Sequence, residues 1–315
     1  MFFLLCVCEP RLKPETIGST IDISVVIVSW NTKDILRQCL QSVIEASKGI
    51  IIEIIVVDNN SHDGSFEMVT DEFPNVRLIR NDRNLGFSGA VNKGIEISTG
   101  RYIALVNSDT IVSKDSFVVM VRYLDTNVDV GISGCHLVNG VGETELSCDN
   151  FPTISTRIAN SLLNYVPLLR HVFGRLSLKY GPYDQERDVE KVSGAFMVVR
   201  RRVFEQIGLL DENIFMYGED TDLCYRTKQA GWRITYTPRA TVVHLHGQSI
   251  RRSTLKSKWL RRKTIVYFSR KHYGWMIATF YRIIFSLFRS GECIRQRFAR
   301  CLRTSDYGDS EMRNR

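Results

Sequence analysis

Paired cysteines are absent from this sequence. Its 8 cysteines are scattered from Cys6 to Cys301, with no CxxC and no zinc-type spacing, which argues against a structural zinc module. A chain of 315 residues that is 44% hydrophobic has no need of a disulfide framework, so reduced thiols facing the cytosol are expected. Long apolar runs are also missing. The stretch Met1–Cys8 lacks a basic leader and stops at Glu9-Pro10, too short for a signal peptide or a span. Residues 1–20 are therefore expected to be a poorly ordered leader. Glycine is missing where a dinucleotide fold would need it. The first β-branched run, Asp22–Ser29, leads into Trp30-Asn31-Thr32-Lys33-Asp34 instead of G-x-G-x-x-G, and no Walker A sequence occurs. This argues against nicotinamide and P-loop chemistry.

What is present is an alternation of buried strands and amphipathic helices. Apolar runs at Asp22–Ser29, Ile51–Val57, Val76–Ile79, Tyr102–Val106 and Val130–Ser133 predict strands. Between them, Ile35, Leu36, Cys39, Leu40 and Val43 and similar sets fall at helical spacing. Further strands are predicted at Val192–Val199, Ile234–Tyr236 and Thr241–Ser249, and helices at Arg201–Ile207 and from Glu219 to Gly231. The pattern gives an α/β fold, a Rossmann-like, mostly parallel sheet with helices on both faces. Residues 135–190 are less regular, with a surface helix expected over Ile158–Leu169 and a loop over Arg170–Arg187. The organisation expected is a leader (1–20), a first half (21–134), a second half (135–250) and a basic helical tail (251–315).

Open parallel sheets bind ligands past the carboxyl ends of their strands. Asn31, Asp58 and Asp109 stand at three successive strand ends, and their acids and amides suit a base, a ribose or a metal. Ser113 and Asp115 can start the next helix, which leaves Asp109 free for a ligand. The loop Arg80–Gly94 carries Gly86 and Gly89 at a helix N-terminus, a place that favours anions, and Gly194 permits close approach in a strand. In Phe215-Met216-Tyr217-Gly218-Glu219-Asp220 an apolar wall precedes two acids and could raise a carboxylate into the general-base range. His244 and His246 end a strand and could join Asp109 on a metal.

Charge is uneven. Residues 251–315 hold 17 Lys and Arg against 4 Asp and Glu, which leaves the rest of this +8 chain mildly acidic. A polyanionic neighbour is implied, a membrane surface or a nucleic acid. Trp275–Phe288 is rich in aromatics with basic flanks. It suits an interfacial helix, or one packed on the body.

Four motifs together resemble the inverting family 2 of glycosyltransferases with a GT-A fold, in the branch of bacterial rhamnosyltransferases. They are Val25–Asn31, Val56–Ser61, Asn84-Leu85-Gly86-Phe87 with Asn92-Lys93-Gly94, and Phe215–Leu223. The resemblance covers about Ile21 to Gly274. It implies a nucleotide pocket formed by Asn31, Asp58, Asn84, Gly86, Phe87 and Asn92, with Asn107 and Gly194 beside the donor. It implies Asp220 as the base, with Glu219 as second choice, and Mg²⁺ or Mn²⁺ held by Asp109 of Asn107-Ser108-Asp109 and by His244. The implied donor is a nucleotide diphosphate sugar, with dTDP-rhamnose as the nearest suggestion, and the acceptor is a glycan or lipid-linked hydroxyl. The enzyme would be cytoplasmic and peripheral on the inner membrane face through its tail. The rival readings are an epimerase on a Rossmann sheet, an inactive transferase, and a nucleic-acid-binding protein acting through the tail; nucleic acid is not expected.

Overall fold

The computed structural model describes residues 21–156, 181–245 and 254–286. The first half of the chain supplies β1 (Ile23–Ser29), α1 (Lys33–Ala46), β2 (Ile52–Asp58), α2 (Ser65–Glu72), β3 (Arg77–Arg80), α3 (Gly86–Ile97), β4 (Tyr102–Asn107), β5 (Thr110–Val112), α4 (Ser116–Thr126) and β6 (Val130–Asn139). The second supplies β7 (Cys148–Asp149), β8 (Arg187–Asp188), β9 (Lys191–Val192), β10 (Phe196–Arg200), α5 (Arg201–Ile207), α6 (Glu219–Gln229), β11 (Arg233–His244), α7 (Thr254–Tyr273) and α8 (275–286).

One sheet of nine strands holds the molecule together, in the order β3-β2-β1-β4-β10-β6-β11-β5, with β8 also paired to β11. The first four strands are parallel; β10 runs against both its neighbours. The sheet continues across residue 134, which lies inside β6, so the two expected halves share it. Period-2 alternation divides each central strand between two cores. Val25, Ile27, Val56, Ala104 and Val106 pack under α1, α2 and α4. Val26, Ile55, Val57, Ile103 and Leu105 pack against α3, α5 and α6. On α1, Leu36, Cys39, Leu40 and Val43 are fully buried at helical spacing. A Leu40→Ala change there would cost about 2–5 kcal/mol through the buried carbons removed and the cavity they leave.

Several elements differ from the sequence reading. The two strands expected at Ile234–Tyr236 and Thr241–Ser249 are a single β11, with a register shift between Thr237 and Thr241. Pro238 lies in that shift, where its missing N–H interrupts no ladder bond. The expected Val192–Val199 strand is broken in two, since β9 pairs with β7 and β10 joins the main sheet. Asp115 caps nothing: it adopts φ 63 and makes no side-chain cap bond. Helix α8 is neither wholly packed nor wholly free. Ala278 and Tyr281 are buried, and the Tyr281 hydroxyl donates to the Pro152 carbonyl at 3.2 Å. Trp275, Met276, Phe280 and Ile283 remain exposed. Among the described residues no helix is long and apolar enough to cross a membrane. The expectations for 1–20, Ile158–Leu169 and His246, and for the tail beyond residue 286, lie outside the described residues.

Candidate active site

β1, β2 and β4 all end at one rim of the sheet. Because β10 is antiparallel, its beginning lies at the same rim, where the Asn107 N–H donates to the Ala195 carbonyl at 3.0 Å. β11 brings His244 level with Thr110, one residue past Asp109. A cleft of about 870 Å³ opens here, within the range of pockets that hold a whole organic ligand. Its walls come from Val28 and Trp30, from Asn84, Gly86 and Phe87, from Asn107–Asp109, from Lys191 and Gly194, from Met216–Thr221, from His244 and from the cleft-facing side of α7.

Asn59, which the sequence did not single out, organises the first wall. Its Nδ2 donates to Asn84 Oδ1 at 2.9 Å and to the Gly86 carbonyl at 3.0 Å, while its Oδ1 accepts from Asn81 Nδ2 and the Leu85 N–H. Gly86 adopts φ +79, and a Cβ there would meet the Phe215 ring and carbonyl at 2.6 Å. Only glycine tolerates both conditions. Asp58 is buried beside this wall. One of its oxygens accepts from the Ser61 N–H at 3.0 Å, and the other has no partner among the described residues. Like Asp58, which is not among the residues lining the cleft, two further expected donor contacts lie elsewhere. Asn31 does not line the cleft; its Oδ1 accepts from the His62 N–H at 2.7 Å, and its left-handed backbone (φ 54) turns the chain. Asn92 is buried in α3, donating to the Leu210 carbonyl and Glu212 and accepting from the Leu210 N–H. It fastens the 210–212 segment to α3 rather than facing the cleft.

Opposite in chain order, the turn before α6 holds the acids. Tyr217 and Gly218 both have positive φ, 69 and 124, which swings Glu219 and Asp220 into the first turn of the helix. Asp220 is aimed from two sides: its Oδ1 accepts from the Thr221 N–H at 2.6 Å and its Oδ2 from the Gly194 N–H at 3.4 Å. Glu219 is buried, and one of its oxygens has no partner among the described residues. Burial, and next the charge of Asp220, push its carboxyl far above the usual range. Lys191, another residue the sequence reading missed, donates to Thr221 Oγ1 at 3.2 Å. Burial pulls its ammonium down, but Asp220 and Asp149 outweigh that and raise it.

Across the cleft, His244 Nε2 lies 3.3 Å from Asp109 Oδ1, and its Nδ1 lies 3.1 Å from Glu145 Oε2. Burial lowers the imidazole, but the bonds to Asp109 and Glu145 prevail and lift it to about 9. Glu145 had no signal in the sequence, since it precedes His244 by 99 positions. Among the described residues no group of three or more His, Cys, Asp or Glu side chains is placed to hold a metal by itself.

A family model described as "Glycosyltransferase like family 2" matches residues 21–263. An N-acetylglucosaminyl-diphospho-decaprenol L-rhamnosyltransferase of Mycobacterium tuberculosis is 27% identical over 267 residues, covering 81% of this chain and 86% of that protein. Two solved structures share the fold. A mannosyltransferase of Pyrobaculum calidifontis in complex with GDP-Man and Mn²⁺ superposes with a TM-score of 0.54 at 17% identity, over 82% of this chain and 66% of that one. GalNAc-T7 with UDP, GalNAc and Mn²⁺ gives a TM-score of 0.54 at 16% identity, over 72% and 44%. The mixed α/β sheet is thus of the GT-A type seen in both.

Proposed function

Since the chain belongs to the glycosyltransferase-like family 2, we propose that it is an inverting transferase that moves a hexose from a nucleotide diphosphate donor to an acceptor hydroxyl. The observation that carries this reading is that Asp220 and the Asp109–His244 pair line one cleft. That arrangement supports a base on one side of a bound ligand and a leaving-group site on the other. Rhamnose is the sugar favoured, by analogy with the mycobacterial relative, and deoxythymidine diphosphate as its carrier follows from the family resemblance alone. A lipid-linked glycan is the acceptor favoured on the same ground.

Asp58 is not part of the cleft's lining, but one of its buried oxygens has no partner among the described residues, and accepting an N–H of the nucleotide base would relieve the cost of leaving it unmatched. Asn84, Gly86 and Phe87 line the donor side, with Asn107 and Gly194 beside it. The Asp109 carboxylate suits Mg²⁺ or Mn²⁺, whose remaining positions are commonly filled by phosphate oxygens and water; His244 Nε2, 3.3 Å from it, would join as a ligand only in its neutral form. Glu145 at Nδ1 orients the ring so that Nε2 faces that place. Neutralisation of the departing diphosphate is the chemistry a bound ion would supply there.

The base step uses this chain's own groups. Asp220 takes the proton of the acceptor hydroxyl while that oxygen attacks the anomeric carbon and the bond to the diphosphate breaks. One displacement inverts the centre, and a single base suffices. Burial, and next the charge of Asp220, push the Glu219 carboxyl up, which favours Asp220 for the base. A thermal-shift screen of nucleotide sugars, with and without Mn²⁺, followed by a transfer assay, tests the reading. A donor that stabilises the protein only with the ion, and is turned over, is the expected result; no stabilisation by any nucleotide sugar would overturn it.

The basic α7 and the exposed aromatic side of α8 support a peripheral position on the cytoplasmic face of the cell membrane.

A further inference from the structure

Residues 191–194 reach both oxygens of Asp220, by two routes. Period-2 alternation in β9 sends Val192 into the core and leaves Lys191 on the cleft side. Gly134 of β6 makes room for Val192, since a Cβ there would lie 2.7 Å from the valine side chain. β9 pairs with β7 through Lys191 and Asp149, and the Ser193 N–H donates to the Ser147 carbonyl at 2.8 Å. The segment is thus fixed before it meets α6. Lys191 Nζ donates to Thr221 Oγ1 at 3.2 Å, and that hydroxyl lies 3.1 Å from Asp220 Oδ1. An ammonium has donors and no acceptor, so the hydroxyl accepts from Lys191 and turns its own proton to Asp220. The Thr221 N–H adds a bond to the same oxygen at 2.6 Å. Among the described residues, Oδ2 meets the Gly194 N–H alone, at 3.4 Å. One oxygen is therefore held by two donors, and the other is left to take a proton.

We propose that Lys191 is a positioning residue for the base: through the Thr221 hydroxyl it fixes Oδ1 of Asp220, balances the charge of that carboxylate, and leaves Oδ2 for the acceptor's proton. The role rests on the transferase reading and adds a residue to it. In the step, the acceptor O–H bond breaks onto Oδ2 while its oxygen bonds the anomeric carbon. The diphosphate leaves with the electron pair of the bond that breaks. A cation two hydrogen bonds from a carboxylate favours the charged form. The attraction shows on the lysine itself. Burial lowers its ammonium, but Asp220, first among the charges around it, and then Asp149 raise it. The other groups facing the lysine are Glu219 and Cys224 of α6. Lys258, Arg261 and Arg262 of α7, with Asp109 and His244, line the same cleft. All of these stay in place in the Lys191 variants below.

The first readout needs no substrate. With the aspartates of the full chain isotopically labelled at the carboxyl carbon, the Asp220 signal is followed by NMR against pH. Its loss in Asp220→Asn assigns it. Lys191→Met keeps the length of the side chain and removes its charge, so the titration of that signal should move up by about one pH unit. Lys191→Arg should leave it near its place in the unsubstituted chain. The second readout is transfer from dTDP-rhamnose to a short-chain isoprenyl diphosphate sugar. In Lys191→Met the acid limb of kcat should move up with the signal, so that kcat is about tenfold lower on that limb, with the donor KM little changed. Melting temperature is the fold control. Lys191→Gln, which has an N–H donor and no charge, takes the place of Lys191→Met if that variant fails to fold, with the same shifts expected. An unmoved signal, or a kcat loss equal at every pH, would overturn the positioning role and leave the transferase reading intact. A signal that moves in a chain that transfers from no nucleotide sugar would instead remove the transferase reading, and the role of Lys191 in it.

Discussion

Glu219 and Asp220 are adjacent in the chain, yet their surroundings separate them. Two backbone N–H groups hold Asp220, while burial, and next the charge of Asp220, push the Glu219 carboxyl up. Asp220→Asn preserves those hydrogen bonds in part and removes the base, so kcat should fall about 10²–10⁴-fold with little change in melting temperature, measured side by side. Gly86→Ala is expected to act differently. The left-handed backbone and the 2.6 Å approach to Phe215 would destabilise the fold by about 1–3 kcal/mol, read by denaturant unfolding, and would weaken nucleotide binding. At this scale the sequence was a partial guide. The letters of Asp109, Asp220 and His244 mark groups that the fold brings to one cleft. The letters of Asn31 and Asn92 could not reveal that their amides are engaged by His62 and by Leu210 and Glu212. A side-chain amide serves a ligand or a loop equally well, and only the paired partner decides. Asn59, Glu145 and Lys191 went unremarked because their partners lie far away in the chain.

Among the elements, α7 depends most on a few charges. Asp222 is completely buried. Burial alone would raise its carboxyl, but bonds from His272, Lys271 and Arg226 overcome that and hold it far below the ordinary range. A carboxyl depressed in the folded state contributes stability that is present above its unfolded pKa, about 4, and is lost as pH falls below that value. Acid titration should accordingly loosen α7 from the body at pH below about 4, seen as rising hydrogen exchange along 257–273. Asp222→Ala should do the same at neutral pH and cost about 3 kcal/mol, the low end of the range because Lys271 keeps some access to water. Strand and helix positions in the first half were legible because β-branched runs and 3.6-residue spacing are local signals. The continuity of β11, the splitting of β9 from β10 and the short β5 were not. Each is set by pairing with a distant strand, and a bulge at Pro238 leaves no local mark except the proline.

For the whole molecule, the uneven charge and the exposed side of α8 act together. Sedimentation with vesicles rich in anionic lipid should recover the protein, less so at high salt. Replacing Trp275 and Phe280 with Ala should weaken partitioning at least about tenfold, from the apolar area withdrawn; equal recovery with neutral vesicles would point to the apolar face alone. The α/β class and the basic tail could be read directly from composition and periodicity. The crossing of the sheet from one half of the chain to the other could not, because nothing in β4 or β6 announces that a later strand will come between them.

That late insertion has a consequence for how the protein is made. As the chain leaves the ribosome, β4 stays an open, largely apolar edge until some ninety further residues have emerged and β10 can pair with it. Chains stopped before residue 200 should therefore clump rather than yield a working fragment, and the growing polypeptide needs shelter through that interval.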